Sequence, residues 1–272
     1  MSFPMSIPAD IDIASEIFAR LASELRCSIL LSLNNNAASE SALARDLGTS
    51  PQDIFRNIRG LIEDGLVKKD GKDLRLTEFG IMVTKQISYF ILVSRLSNFF
   101  LEDHALSQIP DKFLKRIGVL ENCEIVTSIT AIFERLKKLE MGATNQLKVI
   151  VPQAWVDEGN ILVNRAINGV EVSYIVGRNT IFPKEVLESV RANLEKLGRE
   201  GKIKRRMVEK VEIAVYISDG NCATMFANRK GEIDMNTLFI GNDPSFYEWC
   251  LDIFNDAWSR AGSVTISPMQ IV

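Results

Sequence analysis

Gln52, Arg56, Asn57 and Arg59 bring the side chains that read base edges into eight consecutive positions. Arginine offers paired donors that match guanine, and glutamine or asparagine a donor and an acceptor that match adenine. Each good pair is worth about 1–3 kcal/mol of discrimination. The role requires a helix with one free face, and the flanking residues supply it. Gly48-Thr49-Ser50 interrupts the preceding helix, Ser50 suits an N-cap, and Pro51 is tolerated in a first turn. Asp53 stands three residues after Ser50 in a partial capping box. From Pro51 to Asp64, Ile54, Ile58, Leu61 and Ile62 point one way. Gln52, Asp53, Arg56, Arg59, Gly60 and Glu63 point the other way, with Asn57 at the border, and Gly65 ends the helix. Thr49 and Ser50 at its start have hydroxyls and free backbone N–H groups suited to a phosphate.

A second set of bases follows on a predicted hairpin. Leu66–Lys69 and Leu74–Leu76 read as short strands around Asp70-Gly71-Lys72-Asp73, a turn in which glycine accepts positive φ. Lys68, Lys69, Lys72 and Arg75 suit the phosphate backbone beside a groove. Between Arg56 and Arg75 six bases face only four acids, so affinity per chain is expected to be modest and salt-sensitive. A homodimer spanning two half-sites would raise it.

The elements that must position these residues are one long helix over Ile13–Leu33, a short helix after Ser39, the reading helix and the hairpin. A further helix runs from Thr77 through about Leu101. That order is a winged helix-turn-helix, assigned here to residues 11–104. The last helix carries Ile87, Phe90, Ile91, Val93, Leu96, Phe99 and Phe100, more apolar surface than a small domain needs. The excess reads either as a dimer seam or as docking to the rest of the chain. An alternative to DNA binding is a protein-interaction adaptor whose basic residues are a solvated face.

Residues 105–267 read as an α/β effector domain, a mostly parallel sheet flanked by helices with an antiparallel C-terminal part. Asp219, Asn228 and Asp234 lie near strand ends, where a ligand cleft would form, and Trp249 is a candidate pocket floor. Turns for the three polar residues and core packing for Trp155, Trp249 and Trp258 are the simpler assignments. The basic run Arg199, Lys202, Lys204, Arg205, Arg206 and Lys210 reads as a solvated connector, because Glu200, Glu209 and Glu212 interleave with it. His104 reads as a capping or hinge residue between the domains.

Several chemistries are disfavoured. With one histidine, two-imidazole mechanisms and paired-histidine metal sites are excluded, and no phosphate-binding glycine loop is present. The four cysteines form no C-x-x-C pair, so no metal, disulfide framework or cofactor is expected. No apolar run approaches the roughly 18 residues of a membrane span, and Met-Ser-Phe-Pro-Met does not resemble a secretory leader. A cytoplasmic, non-enzymatic protein is expected. The net charge of −3 means that DNA binding must rest on local charge.

Ser23-Glu24-Leu25-Arg26-Cys27-Ser28-Ile29-Leu30, and Asp64-Gly65-Leu66-Val67 with Leu74-Arg75-Leu76-Thr77-Glu78-Phe79-Gly80, resemble the opening helix and wing of archaeal winged-helix regulators of the FilR type. His104-Ala105-Leu106-Ser107-Gln108-Ile109-Pro110, continued by Phe113-Leu114-Lys115-Arg116-Ile117-Gly118, is similar to the string that opens that family's middle domain. Asn242-Asp243-Pro244 with Trp249 and Phe254 is similar to its end. The resemblance implies a transcription factor with a C-terminal sensing domain like the phospholipase-D-like domains of sugar-responsive archaeal regulators. The resemblance itself implies no ligand, and a small-molecule effector stays an open expectation without an identity. The phospholipase pair of His-Lys-Asp motifs is absent here, since it needs two histidines.

Overall fold

The computed structural model describes residues 7–100, 104, 106–153, 158–182, 184–263 and 270–271. Three serines start three of the helices of the first unit, Met1–Ile91. Ser23 Oγ accepts from Arg26 N (3.4 Å), Ser39 Oγ from Ala42 N (3.3 Å) and Ser50 Oγ from Asp53 N (3.1 Å). These bonds satisfy orphan donors that a helix start otherwise leaves open. The helices are α1 (Ile7–Leu21), α2 (Glu24–Asn35), α3 (Glu40–Asp46) and α4 (Pro51–Glu63). The single helix expected over Ile13–Leu33 is therefore two, broken at Ala22-Ser23, with Ser23 in extended backbone.

Strands β1 (Val67–Asp70) and β2 (Asp73–Leu76) pair antiparallel in the register Val67↔Leu76 to Asp70↔Asp73. Gly71 takes φ 64° in the turn, a conformation that costs glycine little. Ala38 adds an isolated bridge to Leu74. Helix α5 (Glu78–Arg95) follows. The core comes from each element in turn: Ile29 and Leu30 of α2, Leu43 of α3, Ile54, Ile58 and Leu61 of α4, Leu74 of β2 and Val83 of α5.

The second unit, Leu92–Val272, is a sheet with helices on both faces. Its elements are α6 (Asp111–Leu114), β3 (Glu124–Val126), α7 (Ile129–Met141), β4 (Gln146–Gln153), α8 (Glu158–Ile167), β5 (Glu171–Phe182), α9 (Lys184–Arg199), β6 (Ile203–Val208), β7 (Ile213–Ser218), β8 (Asn221–Phe226), β9 (Leu238–Gly241), α10 (Pro244–Arg260) and β10 (Gln270–Ile271). The strand order is β10-β5-β4-β7-β8-β9-β3, with β6 also on β5. Strands β4, β6 and β10 run parallel to β5, whereas β7, β8, β9 and β3 are joined by antiparallel pairings. The sheet is thus mixed rather than mostly parallel. A tight Asp219-Gly220 turn, both residues at positive φ, folds β7 straight back into β8.

Side chains alternate across this sheet. Ala214, Tyr216, Ala223 and Met225 share a core with residues of α7, α8 and α9. Phe226, on the other parity, meets Trp249 of α10 with ring centroids 6.4 Å apart. Half of the basic run is strand rather than connector. Lys204, Arg205 and Arg206 lie in β6, where Lys204 pairs with Glu171 (2.6 Å) and Arg206 covers the Trp258 ring (4.7 Å) and donates to Trp258 O (2.6 Å). Trp155 lies outside the described residues. Cys222 and Cys250 are buried free thiols, and Cys27 and Cys123 are half-buried ones. Among the described residues no helix is long and apolar enough to cross a membrane.

Candidate nucleic-acid interface

Helix α4 buries Ile54, Ile58 and Leu61 and leaves Gln52, Arg56, Arg59 and Glu63 exposed on the opposite side. The two arginines are 73% and 74% exposed at the side chain, so neither is committed to the fold. Arg56 donates to Asp53 (2.9 Å) and Arg59 to Glu63 (2.9 Å). Exposed pairs one helical turn apart are worth only about 0.3–0.5 kcal/mol, and a phosphate or a guanine edge can displace the acid. The acids hold the guanidinium groups on the surface without locking them.

Three of the expected contacts are engaged elsewhere. Asn57 is half-buried: its Nδ2 donates to Asp53 O (2.8 Å) and its Oδ1 accepts from Arg26 Nε (3.4 Å). It joins α4 to α2 and does not belong to the exposed face. The same arginine lies across Gly60, where a Cβ would stand 3.0 Å from Arg26 Nη2, so a larger residue there would push the guanidinium aside by a few tenths of an ångström. Ser50 donates its hydroxyl to Asp53 Oδ2 (2.6 Å) while accepting from Asp53 N. That closed capping pair leaves the helix start with a carboxylate rather than a free hydroxyl. Thr49 is half-buried, its N–H given to Ala44 O (3.0 Å).

On the hairpin Lys68, Lys69, Lys72 and Arg75 are all exposed. Lys69 pairs with Glu40 (3.5 Å) and Arg75 with Asp70 (2.7 Å), whereas Lys68 and Lys72 have no ion pair among the described residues. Phe55 is 55% exposed and lies on the same side of α4 as Gln52 and Arg59. Its spacing to Gln52 and Arg59 was the available signal.

The four ligand candidates of the second unit do not form one cleft. Asp219 and Asn228 flank opposite ends of β8, about 20 Å apart at strand rise. Asp219 takes the backbone N–H groups of Thr144 and Gln146. Burial opposes ionisation there, but those bonds hold its carboxyl down at about 2. Asn228 Oδ1 closes its own turn by accepting from Lys230 N (2.9 Å) and Glu232 N (3.1 Å). Asp234 receives His104 Nε2 at 3.1 Å. Its carboxyl is partly desolvated, yet Asn236 and His104 hold it below the usual carboxylate range. His104 is buried, with Nδ1 2.9 Å from Phe99 O and its ring stacked on Phe99 at 3.5 Å. Trp249 is fully buried, and its indole N–H donates to Phe113 O (3.0 Å), so it is core.

A cavity of about 470 Å³ lies elsewhere in this unit. Arg178 near the end of β5, Val208 and Glu209 at the end of β6 and Ile213 at the start of β7 line it, with Ile253, Asp256 and Arg260 of α10. These side chains come from three stretches far apart in sequence, at 178, 208–213 and 253–260, which is why spacing did not reveal it.

Residues 16–94 match the family described as the N-terminal domain of the methanogenesis regulatory protein FilR1. A curated relative, the methanogenesis regulatory protein FilR1 of Methanothrix harundinacea (strain 6Ac), is 22% identical over 254 residues, covering 89% of this chain and 56% of its own length. The chain thus spans little more than half of that relative. Among solved structures, TrmBL2, described as an archaeal chromatin protein, is 15% identical with a TM-score of 0.42, covering 87% of this chain and 92% of its own. A homodimeric winged helix-turn-helix domain from Mycobacterium bovis is 19% identical with a TM-score of 0.29, covering 36% and 93%.

Proposed function

We propose, from the match of residues 16–94 to the FilR1 N-terminal domain family, that this chain is a DNA-binding transcriptional regulator that reads duplex DNA in the major groove through α4. The observation that carries the reading is the exposed face of α4, with two arginines and a glutamine in solvent on a helix whose other face is core. Gln52, Arg56 and Arg59 contact base edges, and Lys68, Lys69, Lys72 and Arg75 hold the phosphate backbone. The binding domain is taken as residues 11–104. Residues 105–267 act as a regulatory domain of the phospholipase-D-like kind without its two-histidine chemistry. The 470 Å³ cavity is within the size range of small-ligand sites and lies at the carboxyl ends of parallel strands, where an effector would bind.

The chain acts as a homodimer. Of the apolar residues of α5, Ile87 is buried within its own unit, but Phe90 remains 45% exposed and meets Phe18 of α1 edge-on at 5.8 Å. Phe18 and Ile11 are 55% and 59% exposed, and a second copy would cover this stripe. Fluorescence anisotropy with genomic duplex fragments tests both parts. The intact chain binds at low salt and loses about 10³–10⁵-fold in affinity between 50 and 200 mM salt, as six to ten phosphate contacts per dimer require. The Phe18→Glu chain is monomeric by light scattering and binds at least tenfold more weakly. Absence of binding at any salt would instead favour the adaptor, and a dimeric Phe18→Glu chain would remove the seam.

A further inference from the structure

One side chain on the reading face has no polar role. Phe55 follows Gln52 by three residues and precedes Arg59 by four, so its ring lies between them on the helix surface. It is 55% exposed, and among the described residues it stacks on no other ring. Its polar neighbours already have charged partners, Arg56 in Asp53 and Arg59 in Glu63. Folding gains little from an aromatic ring left in water, so the ring is free to serve a contact made on this face. Phe55 lies in the first two turns of α4, the part of such a helix that reaches base edges. The major groove offers hydrogen-bond donors and acceptors at every base pair, but its one apolar group is the 5-methyl of thymine.

We propose that Phe55 is a specificity-determining residue that reads thymine through its 5-methyl group, beside the bases contacted by Arg56 and Arg59. The inference rests on the proposed reading of DNA by α4 and adds an apolar letter to it. It places a thymine within about a helical turn of the arginine contacts, once in each half-site.

Exchanging thymine for uracil removes that methyl and nothing else, which gives a direct test. Duplexes retained by the intact chain from a random pool are resynthesised with each thymine replaced in turn by uracil, and their affinities are compared by competition. The intact chain is expected to lose about fourfold at one thymine per half-site, the value of burying one methyl. The Phe55→Ala chain should bind the unmodified duplex more weakly and be indifferent to uracil at that position, while Phe55→Leu keeps part of the discrimination. Indifference of the intact chain to every uracil overturns the proposal, as does a Phe55→Ala chain that remains equally sensitive. A Phe55→Ala chain that changes oligomeric state with an unaltered uracil profile places the ring in a protein contact and also overturns it. If the intact chain retains no duplex, the reading of DNA by α4 fails and this inference falls with it.

Discussion

Replacing Arg56 and Arg59 together with alanine is expected to abolish sequence-specific binding while leaving the fold intact. The two side chains touch nothing in the core, and each holds only an acid on its own helix. Losing both pairs costs the fold no more than about 1 kcal/mol, partly offset by the better helix propensity of alanine. The expected loss in binding is much larger. Two bidentate contacts to guanine are worth about 1–3 kcal/mol each, so affinity for the preferred duplex should fall about 30-fold to 10⁴-fold per half-site. Binding to unrelated duplexes should weaken only through the lost charge, because Lys68, Lys69, Lys72 and Arg75 remain. Gel-shift titrations on both duplexes, with a circular-dichroism melt, separate these effects. Equal losses on every duplex would make the arginines phosphate contacts, and unaltered binding would remove them from the interface.

The second large effect concerns stability. Glu140, in the last turn of α7, is fully buried, and neither of its carboxyl oxygens has a hydrogen-bond partner among the described residues. Burial, and then the neighbouring Glu158 carboxyl, raise it well above the usual carboxylate range. Its folded-state value lies above the unfolded one, so its contribution is fully present below about pH 4.3 and is lost as pH rises toward the folded value. Over that window each pH unit removes about 1.4 kcal/mol, because the unfolded chain releases a proton that the folded chain keeps. Glu140→Gln removes the ionisation and keeps the shape. Denaturant unfolding at successive pH values above about 5 should show the variant increasingly more stable than the parent, until the folded-state value is passed. Parallel pH curves would mean that the carboxyl is ionised in the fold.

The first unit was largely legible because its signals are local. Ser50-Pro51 begins α4, Gly65 follows its end, and Asp70-Gly71 turns the hairpin. The break between α1 and α2 was hidden because Ile17, Leu21, Leu25, Ile29 and Leu33 keep a four-residue spacing straight across it. Only Ser23-Glu24 marked a new start. Strand β6 was hidden by charge. An edge position lets Lys204 and Arg206 leave the sheet toward Glu171 and Trp258, so the apolar alternation that identifies inner strands is reduced to Ile203 and Met207.

At the site, the reading face was legible from helical period, but what binds each side chain was not. Asn57 has the right type and nearly the right position, yet it is held by Arg26, 31 residues earlier in the chain. No spacing rule reports such a partner. The proposed cleft of Asp219, Asn228 and Asp234 failed for a reason that sequence does contain: a six-residue strand lies between the first and the other two. Glu140 also left a trace, since it continues the series Ile132 and Leu136 at four-residue spacing and so falls on the buried face of α7.

On the proposed reading, the exposed face of α4 meets base edges in the major groove. Guanine N7 is one of the acceptors an arginine grips there, and methylating it blocks that contact while leaving base pairing in place. The most direct measurement is therefore methylation interference on a duplex retained by the intact chain. A short set of guanines in each half-site should prevent binding when methylated, and that set should vanish for the Arg56→Ala, Arg59→Ala chain. Binding that tolerates N7 methylation at every guanine would place the contact outside the major groove and contradict the account.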